Sequence, residues 1–584
     1  MKKIFLLLMI ALLCSCSANE KEDNNNDEIE EPVEIIKTNN YDNLAAETYK
    51  PFKEIFKNNE AWTLEGDGTF TSDLNKKVIS VNSGNVTLNS ERFMMKYGNY
   101  IVSFFSSNKG HIKISSNSGT YSDTDFESGN VSIDYQILET DYEVFVSLSF
   151  EGDTEVNDFS ISSDHKTYGA LINQVTYLDK LNKEVVFNNN PGNYYSIYNA
   201  SDDSLVYVGS ASEKTFDKDT NQWLYKGYFA DLNVEGEYYI KTEFGFYSKV
   251  FSISNSYSEL INSALDAIYV QRCGCDIEGI LGHPACHAAP SMIFSYTKED
   301  YVDTTGGWHD AGDYGKYGIV ENKVIADLLF SYLYSDNKNE KLVDEIKYGL
   351  DYVLKLQTDY GAVYNKVVSK KFAGFISPEK DNQKTYLLTP WTSVTASFAG
   401  ITGLAYEVFK DSDGELAERC LNAHNKAIEY LINNPNPSNE MNPDEFDVGT
   451  YYVNDETDER LFAYSVAYKL TKDDKYKDLC IELLNSGVDK GDFVANCRTY
   501  AYAVLLDSLE YNSKFYNDIK TELEVECNEL CKGVSDNMFN YPYENYYWGS
   551  NQHVCEAINK LLLASRYFKD ERYVVKASEM IDYI

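Results

Sequence analysis

The chain has 584 residues, which is too long for one compact domain and suggests three or four. Apolar residues make up 43% of it and charged residues 25%, so a wholly disordered or membrane-embedded chain is excluded. Its 52 Lys and Arg stand against 92 Asp and Glu, which gives a formal net charge of -40. A surface this acidic repels phosphate backbones, so we expect no nucleic-acid partner.

The first residues have the pattern of an export signal. Two lysines precede an apolar run over residues 4–13, which is too short to cross a bilayer. The run ends in LCSC at positions 13–16, which resembles the lipobox of bacterial lipoproteins. In those proteins the chain is cut before the last cysteine, here Cys16, which then carries acyl chains. Residues 1–16 are therefore predicted to be a lipoprotein signal peptide, and the alternative is a plain secretory signal that happens to contain Cys.

The stretch that follows has the composition of a solvated linker. It reads SANEKEDNNNDEIEEPVE, which is acidic, rich in Asn and free of aromatic residues. Acidic residues just after a lipidated cysteine also resemble the surface-export signal of some Gram-negative lipoproteins. We expect residues 17–48 to be an acidic, disordered tether. The protein is then expected at the outer membrane or cell surface, in contact with the membrane through its lipid anchor only.

Two segments alternate short β-type runs with turn residues. The first, residues 49–163, contains runs such as NYIVSFFSS and GHIKISS and is predicted to be a β-sandwich. Its closing stretch is similar to the last strands of carbohydrate-binding jelly rolls, and the alternative is a plain spacer domain. The second, residues 164–255, contains ALINQVTYL and GEYYIK and is predicted to be a further β-sandwich.

After Ser256 the hydrophobic period changes from two to about 3.6. Val394, Phe398 and Ile401, for example, fall on one helical face. About eleven helical segments over residues 256–584, separated by loops rich in Asn, Asp, Gly and Pro, predict an all-α region of helical hairpins. Beyond the signal, every cysteine lies at or after Cys273, and their spacing defines no disulfide framework.

The string GGWHDAGDYGKYG places two carboxylates close together. Asp310 and Asp313 stand three residues apart behind two glycines, which free the backbone to turn sharply. Both carboxylates could then face one water molecule, with one abstracting its proton and the other orienting it. Taken alone, a DxxD pair is also compatible with a helix N-cap or a surface pair.

The same region contains soft and borderline metal ligands that suit tetrahedral zinc. They are Cys273, Cys286, His287 and His309, with Cys275 and His283 near enough in sequence to take their places. Four protein ligands leave no open position, so a zinc here would be structural. The alternatives are a disulfide or buried free thiols.

GGWHDAGDYGKY closely resembles the signature of family 9 glycoside hydrolases, the cellulase family with an (α/α)6 barrel. TPWTSVTASFAGITGLAYEVFKD and YYWGSN follow in the family's order, and the segment around NQVTY resembles the immunoglobulin-like domain that precedes many of its catalytic modules. Thr176 stands where that domain usually has Gly. The resemblance spans residues 168–584. It implies hydrolysis of internal β-1,4 bonds of cellulose-like or xyloglucan-type glucans with inversion, with Asp313 as general base and Asp310 as its partner on the nucleophilic water.

The resemblance also implies ligands and binding residues. Related enzymes carry a structural zinc at positions matching the Cys and His group above. They often bind calcium around the pair matching Asp458 and Glu459, for which a solvated acidic helix start is the alternative. Aromatic residues in or beside the motifs are candidates to stack on sugar rings, or else belong to the core. The candidates are Trp308, Tyr314, Trp391, Trp548 and Tyr547.

One feature of the family is missing from the sequence. The family's general acid is a Glu on the final barrel helix, and this chain ends at ASEMIDYI, before that helix is expected. Residues 256–584 are therefore expected to form an (α/α)6-type barrel that lacks its last helix. Glu544 lies in the right neighbourhood, but nothing supports it as the acid. Two interpretations stay open: a fragment of an active glucanase, or a degenerate member acting as a non-catalytic glycan-binding surface lipoprotein.

Overall fold

The computed structural model describes most of the chain after the tether. The described residues are 56, 59–72, 76–95, 98–137, 141–163, 168–243, 245–279, 281–335, 339–488, 496–534, 537–546 and 549–584. The predicted signal peptide with Cys16, the predicted tether, Tyr547 and Trp548 lie outside them. None of the helices in the described ranges combines the length and apolar character needed to cross a bilayer.

The first domain is a nine-stranded antiparallel sheet that folds over one core. Its strands are β1 (Trp62–Ser72), β2 (Lys76–Ser90), β3 (Phe93–Met95), β4 (Gly98–Ser106), β5 (Gly110–Ser115), β6 (Thr120–Phe126), β7 (Gly129–Ile137), β8 (Asp141–Phe150) and β9 (Thr154–Ser163). The order is β6-β5-β8-β2-β9-β4-β7, with β1 added to β2 and β3 to β8. The long strand β2 pairs with β9 at one end and β8 at the other, so the predicted sandwich is one nearly closed sheet.

The alternation of apolar residues explains which face of each strand is buried. In β8, Val144, Val146 and Leu148 are fully buried, and the intervening residues are partly exposed. Successive side chains of a strand point to opposite faces, so a period of two places these three in the core. They pack with Val86 and Leu88 of β2.

The second domain is a sandwich of two sheets. Its strands are β10 (Ala170–Leu171), β11 (Tyr177–Leu178), β12 (Glu184–Phe187), β13 (Tyr195–Asn199), β14 (Leu205–Gly209), β15 (Thr215–Asp217), β16 (Gln222–Tyr228), β17 (Gly236–Thr242) and β18 (Phe251–Ser254). One sheet has the order β10-β12-β16-β15 and the other β11-β18-β17-β13-β14. Buried Phe187, Tyr195, Ile240 and Phe251 form part of the core between them.

Eleven α-helices follow in the described part of the third domain, the number that the periodicity predicts. They are α1 (Ser258–Tyr269), α2 (Gly318–Tyr334), α3 (Glu340–Val353), α4 (Thr392–Phe409), α5 (Gly414–Asn433), α6 (Thr457–Thr471), α7 (Asp474–Ser486), α8 (Cys497–Leu506), α9 (Lys514–Lys532), α10 (Ser550–Phe568) and α11 (Glu571–Tyr583). Helices α2, α4, α6, α8 and α10 are buried on nearly all sides and contact one another in sequence. Each packs against the following helix, which buries one face only, so hairpins build a barrel with an inner and an outer layer.

Small residues let the inner helices approach closely. A Cβ atom at Gly400 of α4 would lie 2.3 Å from the ring of Phe462 on α6, and one at Gly403 would lie 2.4 Å from Val466. Helix α4 reads TSVTASFAGITGLAYEVF, so its many Ser, Thr, Ala and Gly residues are explained by this packing.

Short strands in the connections before α2 and α4 were not expected from the sequence. They are β19 (Ser291–Ile293), β20 (Asp300–Val302), β21 (Lys316–Tyr317), β22 (Val363–Tyr364), β23 (Lys366–Val368), β24 (Tyr386–Leu387) and β25 (Pro390–Trp391). Five form a sheet in the order β20-β19-β24-β23-β21, and β22 pairs with β25. Because β21 leads directly into α2 and β25 into α4, these strands hold the loops at the N-terminal ends of these inner helices.

Candidate active site and metal cluster

Two glycines make the turn that carries the predicted carboxylates. Gly306 and Gly307 have φ angles of 106° and 75°, a region that side chains with a Cβ rarely adopt. A Cβ at Gly307 would also lie 2.5 Å from the ring of Tyr352. The turn therefore requires glycine for its conformation and for its close packing against α3.

Trp308 anchors this turn inside the barrel. Its backbone N–H donates to Glu321 Oε1 (3.0 Å), and its indole N–H donates to Glu345 Oε2 (3.1 Å). Trp308 is 3% exposed and Trp391 is 1% exposed. Because a sugar ring cannot reach a buried indole face, the expectation that Trp308 and Trp391 stack on sugars is wrong, and both belong to the core.

Asp310 and Asp313 lie on the same turn, and each accepts a hydrogen bond from a tyrosine hydroxyl. Tyr451 donates to Asp310 Oδ2 (2.6 Å), and Tyr317 donates to Asp313 Oδ2 (3.0 Å). The other oxygen of Asp313 accepts from the backbone N–H of Gly315 (3.0 Å). In the described part of the chain, neither carboxylate forms an ion pair with Lys or Arg.

The two carboxylates differ in burial. Asp310 is 7% exposed, whereas Asp313 is half-buried. Burial raises the pKa of Asp310 to about 7, and the charge of Asp313 adds to this while the hydrogen bond from Tyr451 opposes it. A buried carboxyl with a raised pKa, lying beside a second carboxylate, is typical of a catalytic pair.

Tyr317 and Tyr451 were not singled out by sequence reasoning. Their rings pack edge to face, with centroids 4.9 Å apart. Tyr317 ends the string GGWHDAGDYGKY, and Tyr451 lies in FDVGTYYVNDETDERLFAYSVAYKLTKDDKY, which also resembles the family; this resemblance is the sequence signal that could have identified them. Tyr314, a predicted stacking residue, is partly exposed, has a φ of 59°, and donates its hydroxyl proton to the carbonyl of Ile376. Its ring packs at a tilt against the rings of His287 and His309, with centroid distances of 5.6 and 5.0 Å.

The predicted metal ligands come together. The ligand atoms of Cys273, Cys286, His287 and His309 all lie within 4.8 Å of one another. Cys286 Sγ and His309 Nε2 are 3.6 Å apart, close to the edge of about 3.5 Å that zinc bond lengths give for a tetrahedron. Nδ1 of His287 is buried and has no hydrogen-bond partner among the described residues. The donor set and this orphaned nitrogen fit a tetrahedral metal ion.

Asp381 holds the opposite nitrogen of His287. Its Oδ2 lies 3.3 Å from His287 Nε2, and both side chains are buried, at 4% and 6% exposure. A carboxylate on the far nitrogen fixes the ring of a metal-binding histidine. The two substitute ligands considered above lie elsewhere, since Cys275 Sγ contacts Tyr348 and His283 Nδ1 contacts the carbonyl of Pro284.

The metal cluster and the carboxylate pair share one loop. His309 directly precedes Asp310 in the chain. The N–H of Cys273 donates to Gly307 O (2.9 Å), and the N–H of His309 donates to Gln271 O (2.8 Å). A metal ion at the cluster would therefore restrain the backbone next to Asp310.

The remaining predicted residues lie away from this loop. Asp458 and Glu459 are in the first turn of α6 and are each 1% exposed. Asp458 Oδ2 accepts the N–H of Cys497 (2.8 Å) at the start of α8, which links two inner helices, and calcium at this pair stays a prediction. Glu544 is exposed and pairs with Lys218 of the second domain (3.0 Å).

Comparisons with known proteins agree with this architecture. The glycosyl hydrolase family 9 model matches residues 257–584, and the cellulase N-terminal ig-like domain model matches residues 170–244. A cellodextrinase of Butyrivibrio fibrisolvens is 28% identical over 452 residues, 71% of this chain and 82% of that protein. Endoglucanase D of Acetivibrio thermocellus is 27% identical over 465 residues, 74% of this chain and 73% of that protein.

A solved structure shares the fold. The crystal structure of a zinc-binding triple mutant of a family 9 endoglucanase, J30, superposes with a TM-score of 0.63 at 24% identity, covering 69% of this chain and 81% of that one. The family model and these relatives identify a glycoside hydrolase, and the solved structure agrees in fold with its helical barrel. The chain belongs to glycosyl hydrolase family 9, with the immunoglobulin-like domain placed before the barrel.

Proposed function

We propose that this enzyme hydrolyses internal β-1,4 bonds of a cellulose-like or xyloglucan-type glucan with inversion at the anomeric carbon. Asp313 is the general base and Asp310 positions the attacking water. The observation that carries the proposal is the carboxylate pair on one glycine-freed turn, held by two tyrosine hydroxyls and free of Lys or Arg ion pairs among the described residues. Its relatives, a cellodextrinase and an endoglucanase, support the choice of substrate.

The difference in burial supports this division of roles. Asp313 is the more exposed carboxylate, so water reaches it and can lose a proton to it. Asp310 is buried behind Tyr451, which favours an orienting role over proton transfer to solvent. Inversion also needs a protonated carboxyl group on the other side of the bond, about 6.5–9.5 Å from the base.

We also infer that the cluster of Cys273, Cys286, His287 and His309 binds zinc with a structural role. Two thiolates and two imidazoles match the closed tetrahedral sites of structural zinc. When bound, the ion supplies a rigid crosslink and no chemistry on the substrate. His309 then transmits that rigidity to the neighbouring Asp310.

Attachment at the outer membrane or cell surface is proposed from the sequence pattern around Cys16, which lies outside the described residues. Radiolabelled palmitate in the expressing cells tests it: incorporation that Cys16→Ala abolishes is expected, and labelling that survives this substitution contradicts the anchor.

The base-side machinery can be tested without relying on a general acid. In β-cellobiosyl fluoride the leaving group departs without protonation, so its hydrolysis reports on Asp313 and Asp310 alone. We expect the full chain to release fluoride and to give the α-anomer of cellobiose, detected by NMR. Asp313→Ala should reduce the rate by about 100- to 10,000-fold. Asp303→Ala is the control, because Asp303 precedes the same turn but pairs with Lys355 (2.9 Å).

The outcomes separate the candidate functions. A β-anomer product, or fluoride release that Asp313→Ala leaves unchanged, overturns the assignment of the base. Retained binding of soluble β-glucan without fluoride release supports the alternative of a non-catalytic glycan-binding protein. Activity on the fluoride but not on polymeric glucan shows that the base side works without an effective acid. Reducing-end assays on carboxymethylcellulose, xyloglucan and mixed-linkage glucan then rank the substrates.

A further inference from the structure

Lys366 of β23 is a buried cation beside the carboxylate pair. The residue is fully buried, at 0% exposure. Its Nζ donates to the carbonyl of Gly449 (2.7 Å) and to Thr450 Oγ1 (2.9 Å). Within the described ranges no carboxylate lies at ion-pair distance from it, and burial lowers its pKa to about 7, while Asp313 opposes this shift. Lysines are almost never fully buried unless they are paired, so this placement needs an explanation.

The contacts of Lys366 lead to both carboxylates. Gly449 and Thr450 directly precede Tyr451, whose hydroxyl donates to Asp310. The Nζ also lies 5.4 Å from the centroid of the Tyr317 ring, and Tyr317 donates to Asp313. Because β21 pairs with β23, Tyr317 and Lys366 are also cross-strand partners in the small sheet.

Packing alone does not account for a lysine here. An apolar side chain of similar volume would avoid the desolvation of a buried amine. Lys366 instead connects the segment before Tyr451, about eighty residues later in the chain, with the ring of Tyr317. Each hydroxyl is 3.0 Å or less from its carboxylate, so a small shift of either tyrosine would change where the water is held.

We propose that Lys366 is a positioning residue for hydrolysis: it fixes Tyr317 and the 449–451 segment so that the two tyrosine hydroxyls hold Asp313 and Asp310 around one water. The proposal rests on the proposed function, because it assigns the base to this pair. It concerns the transition state rather than substrate binding, because Lys366 is fully buried and out of direct reach of a glucan chain.

Lys366→Met tests the proposal, because methionine fills a similar volume without donating hydrogen bonds. We expect kcat for β-cellobiosyl fluoride to fall about 10- to 100-fold with KM changed less than about twofold. Hydrogen exchange of the 449–451 amides should accelerate. The control is Lys370→Met. Lys370 is four residues after Lys366, and its Nζ lies 5.5 and 5.7 Å from the ring centroids of Tyr386 and Phe446. This substitution should leave kcat and the hydrogen exchange unchanged.

Thr450→Val is the second variant, in case Lys366→Met fails to fold. It removes one acceptor and keeps the lysine, and a kcat loss of about 2- to 10-fold at constant KM is expected. Unchanged kcat in both variants overturns the proposal, as does a loss of kcat that Lys370→Met reproduces. If the unmodified chain releases no fluoride, the proposed function has failed. Lys366 is then judged by hydrogen exchange, where unchanged amides at 449–451 overturn its positioning role and faster exchange supports it.

Discussion

Asp310→Asn is expected to stabilise the protein at alkaline pH while removing a group that the proposed reaction needs. Burial raises the pKa of Asp310 to about 7, against an ordinary value of 3.8. Folding therefore strengthens its hold on the proton, and ionising it in the folded state costs free energy. The contribution of Asp310 to the free energy of unfolding is complete below its unfolded pKa. It falls as pH rises towards about 7 and is constant above that.

The size of the effect follows from the gap between the two pKa values. About three pKa units correspond to at most about 4 kcal/mol between pH 4 and pH 8. An amide at position 310 does not ionise and keeps an oxygen to accept the Tyr451 hydroxyl. Relative to the unmodified protein, Asp310→Asn should therefore gain up to about 4 kcal/mol in free energy of unfolding across this range.

Urea unfolding of the helical domain, followed by circular dichroism at several pH values, measures this gain. Asp303→Asn is a control of opposite sign. Hydrogen bonds from Thr305 and Lys355 hold the pKa of Asp303 below its ordinary value, so its carboxylate stabilises the fold above the unfolded pKa and loses that effect as pH falls. A difference for Asp310→Asn that does not vary with pH, or that shrinks as pH rises, would refute the reasoning.

Two further substitutions test the supports of the same loop. Gly349→Ala places a Cβ 2.3 Å from Trp308 Cη2, so the free energy of unfolding in urea should fall by about 1–3 kcal/mol although Ala is the better helix former. Gly414→Ala is the control, because a Cβ there has open space. A higher free energy of unfolding for Gly349→Ala would contradict the packing. Asp381→Asn should weaken zinc binding about 10- to 100-fold in competition with a chromophoric chelator, because His287 loses its orienting carboxylate. Equal affinities would show that Asp381 does not orient the ligand.

Long periodic segments could be predicted from the sequence because burial imposes their pattern. The eleven helices of the third domain and alternating strands such as β8 follow from apolar periods of 3.6 and two. The strands β21 and β23 have two and three residues, which is too short for any period to be detected. Their pairing depends on tertiary contacts, so the small sheet that positions the site could not be predicted.

The exposure of aromatic residues was equally inaccessible from sequence. Trp308 lies inside the string GGWHDAGDYGKY that resembles the family, and this position suggested that it stacks on a sugar ring. Its indole instead fills a niche that Gly349 leaves on α3, where Glu345 accepts its N–H. The buried position of Trp308 depends on Gly349 of another helix, and the residues around Trp308 in the sequence do not indicate whether its indole is buried or exposed.

The site residues divide in the same way. Asp310, Asp313 and the four metal ligands cluster within one segment of the chain, so their spacing and chemistry identified them. Tyr451 reaches Asp310 from 141 residues away, and Lys366 contacts the residues just before Tyr451 and the ring of Tyr317. A single sequence carries no signal for such a contact beyond the family resemblance of the surrounding strings.

These distant contacts explain how a turn built on glycines becomes rigid enough for catalysis. Gly306 and Gly307 allow the turn but leave it with high conformational entropy in the unfolded chain. Trp308 anchors it to α2 and α3, the Cys and His cluster ties it to the segment after α1, and Tyr451 holds it from the loop before α6. Because each anchor comes from a different part of the barrel, the carboxylate pair acquires its geometry only when those parts have folded together.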